Sequence, residues 1–376
     1  MTVSCTTNGA VLEAPPVEGA ISKATEMKER LAARVGAFAV PEFVPHRWLR
    51  GGHLQTLLST RREKPIAAGE SVYQRHRVAL PEGEAMIMHD DRPGGWTPAA
   101  GSVLLLHGIC GCHSASYMLR FHHRLNAMGI RTFRLDMRGC GDSAEFCRTI
   151  THAGRSEDVL AAMQCVGEVV DDRSSPIGAV GVSLGGNQLL LTAGRIGNGT
   201  HARPEVWDRV GPILAIAPPL DLQRCSDALQ AFRLRFYNWY FIKHLFHRAS
   251  PLLRSREDYQ AMLRLPRPKT LRQFDRAITA PLAGFESERE YYGESSAISV
   301  IHDIAVPTMV VTSADDPLVP VDSFEGLGSD SVRVHITPSG GHHGFLQRDR
   351  TSWSDDLVSE FFAGAWPWAV KNRDVG

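Results

Sequence analysis

Two hydrophobic rhythms alternate along this chain. Strand-sized segments occur at Val103–Leu106, Thr132–Met137, Ile177–Val182, Ile213–Ile216, Thr308–Val311 and Val332–Ile336. Helix-sized stretches lie between them at Tyr117–Met128, Ser156–Val170 and Asn187–Ile196. Apolar strands separated by helices predict a mostly parallel sheet covered on both faces, the α/β class. The rhythm breaks between Pro218 and Ile301, a stretch rich in Arg and aromatics without a clear strand. It reads as a helical cap, residues 218–300, inserted after the strand at Ile213–Ile216, taken as the sixth strand of the sheet. Its Phe232–Phe241 segment reads equally as the lining of an acyl pocket or as cap core, since aromatics fill cores first.

The N-terminal 40 residues read differently. Residues 1–19, with Pro15-Pro16, have the look of a loose tail. Ile21, Ala24, Met27, Leu31 and Val35 then repeat at helical spacing. The opposite face mixes Lys23, Glu26, Lys28, Glu29, Arg30 and Arg34. Mixed charge favours packing on the protein's own domain, with peripheral membrane contact as the other reading. Residues 41–376 form the main domain.

Composition narrows the function classes. Lys+Arg is 41 and Asp+Glu is 41 in 376 residues, so the net charge is zero and a general nucleic-acid binder is not expected. Hydrophobic residues at 43% and charged residues at 22% suit a globular chain with a sizeable core. Seven scattered cysteines fit reduced thiols in the cytoplasm better than a disulfide framework. The N-terminus has no signal-peptide pattern, and no apolar run approaches membrane-spanning length.

The sharpest chemical signal is Gly181-Val182-Ser183-Leu184-Gly185, between a predicted strand and a predicted helix. A serine hydroxyl is a weak nucleophile until a base takes its proton. The G-x-S-x-G turn presents such a serine at a strand end. Val103–Leu106 runs into His107-Gly108-Ile109, where a backbone N–H can join that of Leu184 as an oxyanion hole. His107 itself reads as a structural anchor. On this fold the acid and then the histidine follow the serine. Asp315-Asp316-Pro317 follows the strand from Thr308, and neighbours at a strand end point apart, so one aspartate serves. Asp316 is the choice, directly before a Pro-bounded loop, and Asp315 becomes a turn residue. Gly340-Gly341-His342-His343-Gly344 follows the next strand, with His342 as the base and His343 as its rival.

These segments resemble the YheT-like branch of the alpha/beta-hydrolase superfamily, from about Pro41 to the C-terminus. The resemblance rests on Phe43-Val44-Pro45 with Gly52-His53-Leu54-Gln55-Thr56, on His107–Gly111, and on Arg138-Gly139-Cys140-Gly141-Asp142-Ser143. It extends through Pro219–Leu222, the Tyr237–Phe241 segment, Phe274-Asp275, Thr279-Ala280-Pro281, Tyr291-Tyr292 and Gly341-His342. Cys112 departs from the small hydroxyl residue expected there, and His343 from an apolar one. The resemblance implies an alpha/beta-hydrolase fold, a Ser183–Asp316–His342 triad, and hydrolysis of carboxylic esters with small-molecule or lipid substrates.

No cofactor is expected: Gly139-x-Gly141 lacks the rest of a dinucleotide fingerprint. No metal is expected either, because Cys110, Cys112 and His113 stand too close for a closed site. An acyltransferase or thioesterase would use the same triad, and a non-catalytic binding protein could keep the fold. Oligomeric state and acyl preference are not legible at this level.

Overall fold

The computed structural model describes residues 2–5, 29–49, 51–58, 71–348 and 351–366, and for residues 2–5 the backbone alone. Among the described residues, nine strands form one sheet in the order β1-β2-β3-β5-β4-β6-β7-β8-β9. They are β1 (Thr2–Cys5), β2 (Ser71–Ala79), β3 (Ala85–Pro93), β4 (Ser102–Leu106), β5 (Arg131–Asp136), β6 (Ile177–Val182), β7 (Val210–Ile216), β8 (Thr308–Ser313) and β9 (Val332–Thr337). Only β3 runs against its neighbours; every other pairing is parallel.

Parallel strands need crossovers, and helices supply them. One face carries α1 (residues 29–37), α3 (Ser116–Ala127) and α13 (Trp353–Ala365), while α2 (Gly52–Leu58) lies near the end of β8. The other face carries α4 (Ser156–Val169) and α5 (Leu184–Gly197). Alternation within β4 shows why the sheet is covered twice. Val103 and Leu105 join the α3–α13 core, whereas Leu104 and Leu106 join the α4–α5 core.

The insertion falls between β7 and β8, after the sixth strand counted from β2. It is helical: α6 (Leu222–Ala228), α7 (Arg235–Arg248), α8 (Pro251–Arg254), α9 (Glu257–Leu263), α10 (Leu271–Phe274), α11 (Ala280–Ala283) and α12 (Glu288–Ser295). A π-turn at Asp275–Thr279 joins α10 to α11. The cap has its own small core of Ile242, Leu253, Tyr259, Phe274, Ile278 and Leu282. Its base is tied to α5 by Asn187, whose amide donates to Ser295 O and accepts from Ala297 N.

One N-terminal expectation needs revision. Thr2–Cys5, expected in a loose tail, pairs in parallel with β2 along the sheet edge. Leu31 and Val35 are buried in the α3–α13 core, so the described part of that helix packs on its own domain. Ile21, Ala24 and Met27 lie outside the described residues.

β2 and β3 escaped the hydrophobic pattern because their core positions include charges. Asp90 on β3 takes two hydrogen bonds from the Arg131 guanidinium on β5, at 2.8 and 2.6 Å, and one from His76 on β2 at 2.8 Å. Asp91 pairs likewise with Arg134. Buried pairs of this kind are costly to break because the remaining charge is stranded. Asp90→Ala is expected to lower the unfolding free energy by about 3–5 kcal/mol. Adding Arg131→Met should recover much of that loss in urea denaturation; an unimproved double variant would refute a stranded charge as the cause.

Candidate active site

Ser183 sits between the end of β6 and the start of α5 with φ 52° and ψ −120°. A side-chain-bearing residue holds that conformation only when its surroundings impose it. Here the neighbours are glycines because nothing larger fits. A Cβ on Gly181 would lie 2.5 Å from Gly185 O, and one on Gly185 would lie 2.6 Å from His107 O. Ser183 N donates to Ile216 O on β7 at 2.8 Å, locking the turn to the sheet.

The three residues chosen for the triad come together. His342 Nε2 lies 2.8 Å from Ser183 Oγ, and His342 Nδ1 lies 2.8 Å from Asp316 Oδ2. The other Asp316 oxygen accepts the backbone N–H groups of Leu318 and Val319 at 2.8 and 3.1 Å. That leaves its carboxylate no freedom to turn away. Asp315 does more than close a turn: its Oδ1 accepts Gly341 N at 2.9 Å and so holds the histidine loop. His343 points elsewhere, with its ring 5.4 Å from that of Tyr117. Burial and the adjacent His342 push its pKa down to about 3, so it stays neutral.

The Gly52–Thr56 motif also finds its role here. Thr56 Oγ1 accepts His342 N at 2.8 Å while donating to Gly52 O. Gln55 donates to Leu49 O and accepts Leu346 N at 2.6 Å. Gly52 admits no Cβ because Asp315 O packs on it. Motif resemblance flagged these residues, but only the fold shows that they brace the histidine loop.

On the other side of Ser183 runs the loop after β4. A Cβ on Gly108 would stand 3.2 Å from Ser183 Cβ, so the loop passes close over the serine. Ile109 and Leu184 line the same cavity as Ser183 and His342. Gly108 N donates to Tyr117 Oη at 2.8 Å, fixing the loop from below. His107 is fully buried: its Nε2 accepts Met137 N, so Nδ1 carries the proton and donates to Gly108 O at 2.8 Å. Desolvation holds it neutral. This is an anchoring role, as the sequence suggests.

His113 does not gather with Cys110 and Cys112. It turns to Asp136 at the end of β5, 2.7 Å from Oδ2. His89 and Asp142 N reach the same oxygen, and His113 N reaches Oδ1. His89, His113 and Asp136 are close enough together to ligate an ion. Each histidine turns one nitrogen to Asp136, His89 gives its other to Tyr73 Oη, and the rings stack 3.6 Å apart, which suits a buried clasp between loops. Cys110, which lines the cavity, has its thiol pushed up to about 12 by burial and is no thiolate nucleophile.

The cavity, about 150 Å³, lies under the cap. Leu222, Leu229, Phe241, Leu245, Leu271 and Phe274 make its walls apolar. The aromatic segment therefore splits three ways. Phe241 lines the cavity and Tyr237 is buried, but Phe232, Phe236, Trp239 and Tyr240 are exposed, so neither sequence reading covers the segment. Asp275, in the π-turn, also faces the cavity. It accepts from Thr279 Oγ1 and Tyr292 Oη at 2.8 Å each. Burial pushes its carboxyl up to about 7. No periodicity signals such a group.

The family model described as Alpha/beta hydrolase family matches residues 103–352. The chain is 25% identical to "Putative esterase YheT" of Escherichia coli, over 81% of this chain and 87% of that protein. It is 26% identical to "Phospholipase ABHD3" of Mus musculus, over 65% of this chain but 58% of the phospholipase's length. A solved structure of a puromycin-hydrolysing peptidase of Mycobacterium tuberculosis superposes with a TM-score of 0.51 at 17% identity, over 80% of this chain and 40% of that one. That likeness speaks for the fold alone.

The raised Asp275 carboxyl has a consequence for stability. The unfolded chain loses this proton near 3.8 and the folded protein near 7. Between those values the fold retains a proton that the unfolded chain has lost. Stability is therefore expected to fall with rising pH by at most about 1.4 kcal/mol per unit, levelling above 7. Asp275→Asn should remove that slope. Parallel stability–pH curves for the two proteins from pH 4.5 to 8 would contradict it.

Proposed function

The chain belongs to the alpha/beta-hydrolase family, and within it we propose a serine hydrolase that cleaves carboxylic esters through an acyl-enzyme. One observation carries the reading: the unbroken 2.8 Å links from Ser183 Oγ through His342 to Asp316. His342 Nε2 takes the Ser183 proton as Oγ attacks the acyl carbon. Asp316, fully shielded from solvent, orients the ring and stabilises its cationic form. The backbone N–H groups of Ile109 and Leu184 receive the oxyanion. As the tetrahedral adduct collapses, the C–O bond to the alcohol breaks, and His342 returns the proton to the departing oxygen. Water, deprotonated by the same nitrogen, then attacks the acyl carbon, and Ser183 leaves with the proton as the acid is released.

The apolar cavity supports an acyl group as the part of the substrate held under the cap. The names of the esterase and phospholipase relatives agree with an ester substrate, small or lipid.

A series of p-nitrophenyl esters of rising acyl length tests the reading. Turnover is expected for the wild type, with kcat/KM rising with chain length until the cavity is filled. Ser183→Ala and His342→Ala should each lower kcat by roughly 10⁴-fold or more, and Asp316→Asn by a similar order. Turnover surviving Ser183→Ala undiminished would refute the assignment. Adding a short alcohol separates hydrolysis from transfer: free acid as the main product is expected, and a predominant new ester would make the protein an acyltransferase.

A further inference from the structure

The charge balance of the cap is unlike that of the whole chain. Between Asp227 and Glu257 stand Arg233, Arg235, Lys243, Arg248, Arg254 and Arg256, with no acidic residue among them. The rest of the chain offsets this excess, since the total is neutral. α7 is the centre of the basic stretch, and its two faces differ. Tyr237, Asn238 and Ile242 are buried, and Phe241 and Leu245 form part of the cavity wall.

Three large aromatics stand on the outward face of α7, and a fourth, Phe232, in the short turn that leads into it. Phe232 is 77% exposed, Phe236 48%, Trp239 54% and Tyr240 36%. The Phe236 and Trp239 rings lie 5.8 Å apart, so these side chains form a patch, not isolated exposures. Cations sit on them: the Arg235 guanidinium is 4.3 Å from the Phe232 ring centre, and the Lys243 ammonium is 4.9 Å from that of Trp239. Arg233, Arg235 and Lys243 form no ion pair among the described residues. The short helix α2 meets α7 through the His53–Tyr237 contact at 3.1 Å and itself exposes Leu54 and Leu57.

Aromatics interleaved with unpaired cations on one helix face match the interface of a bilayer. Rings settle at headgroup depth while Lys and Arg meet anionic phosphates. Among the described residues no helix is long and apolar enough to cross a membrane, and α7 has 14 residues, a length suited to lying in the interface plane. We propose that the outward face of α7 docks this protein on an anionic lipid surface. The opposite face of the same helix walls the cavity, so docking brings the acyl site to the bilayer. Docking itself is independent of the catalytic reading; the delivery of lipid esters to Ser183 rests on it.

Vesicle sedimentation of the full chain carrying Ser183→Ala tests the proposal without lipid turnover. Vesicles of phosphatidylcholine alone are compared with vesicles about one-third phosphatidylglycerol, at low and physiological salt. Partitioning to the anionic vesicles is expected to exceed that to the neutral ones and to weaken with salt. Phe236→Ser with Trp239→Ser should reduce it by at least about tenfold. Arg235→Glu with Lys243→Glu should reduce it by about fivefold or more per site. The same pairs in the Ser183-containing protein should keep the wild-type circular dichroism and turnover of a soluble short-chain ester. Absence of binding to anionic vesicles by the folded protein overturns the proposal, as does binding that both pairs leave untouched. A concentration-dependent dimer dissolved by these pairs, without vesicle binding, would assign the face to a second copy instead. Failure of ester turnover would refute the catalytic reading and leave the vesicle result standing.

Discussion

Ser183 occupies backbone space that costs on the order of 1–3 kcal/mol for a residue with a Cβ. Much of the surrounding architecture exists to hold it there. Gly181 and Gly185 let β6 and α5 close to contact distance around the turn, and Gly108 lets the neighbouring loop pass over it. The bond from Ser183 N to Ile216 O fastens the turn to β7. Asn187, one turn into α5, fastens the same helix to the base of the cap. The strained residue thus stands where sheet, helix and cap meet, with the turn bonded to the sheet and the helix bonded to the cap.

The second requirement is that the histidine arrive from a distant loop and stay. That loop is held by residues far apart in sequence: Asp315 accepts Gly341 N, Thr56 accepts His342 N, and Gln55 accepts Leu346 N. Adjacent aspartates therefore divide the work, Asp316 facing the imidazole and Asp315 the backbone beneath it. On the opposite side, Asp136 gathers His89, His113 and Asp142 N, and Arg138 bridges Asp158 and Glu84. These buried charges fix loop positions near the cavity. Arg248 of α7 then ties the cap to Gly111 O at 2.7 Å.

How far the sequence reveals this molecule depends on which residues face the core. β4, β6, β7 and β8 have continuous apolar centres and stand out, as do the amphipathic α3, α4 and α5. β2 and β3 do not, because Asp90, Asp91 and His76 occupy their buried positions and find partners only across the sheet. Ser183, Asp316 and His342 are legible since each follows a strand and turn residues frame it. Thr56 and Asp275 act through neighbours that no local pattern predicts. The cap aromatics misled for a related reason: aromatic content signals burial, and four of these rings are turned outward instead.

The central claim is that the Ser183–His342–Asp316 arrangement activates one serine. Reaction with a fluorophosphonate, read by intact mass and peptide mapping, tests that most directly, since such reagents require an activated hydroxyl. The account predicts a single adduct, located on Ser183, and none when Ser183 is replaced by Ala. An unlabelled wild type of native fold, or an adduct that persists after the replacement, would contradict it.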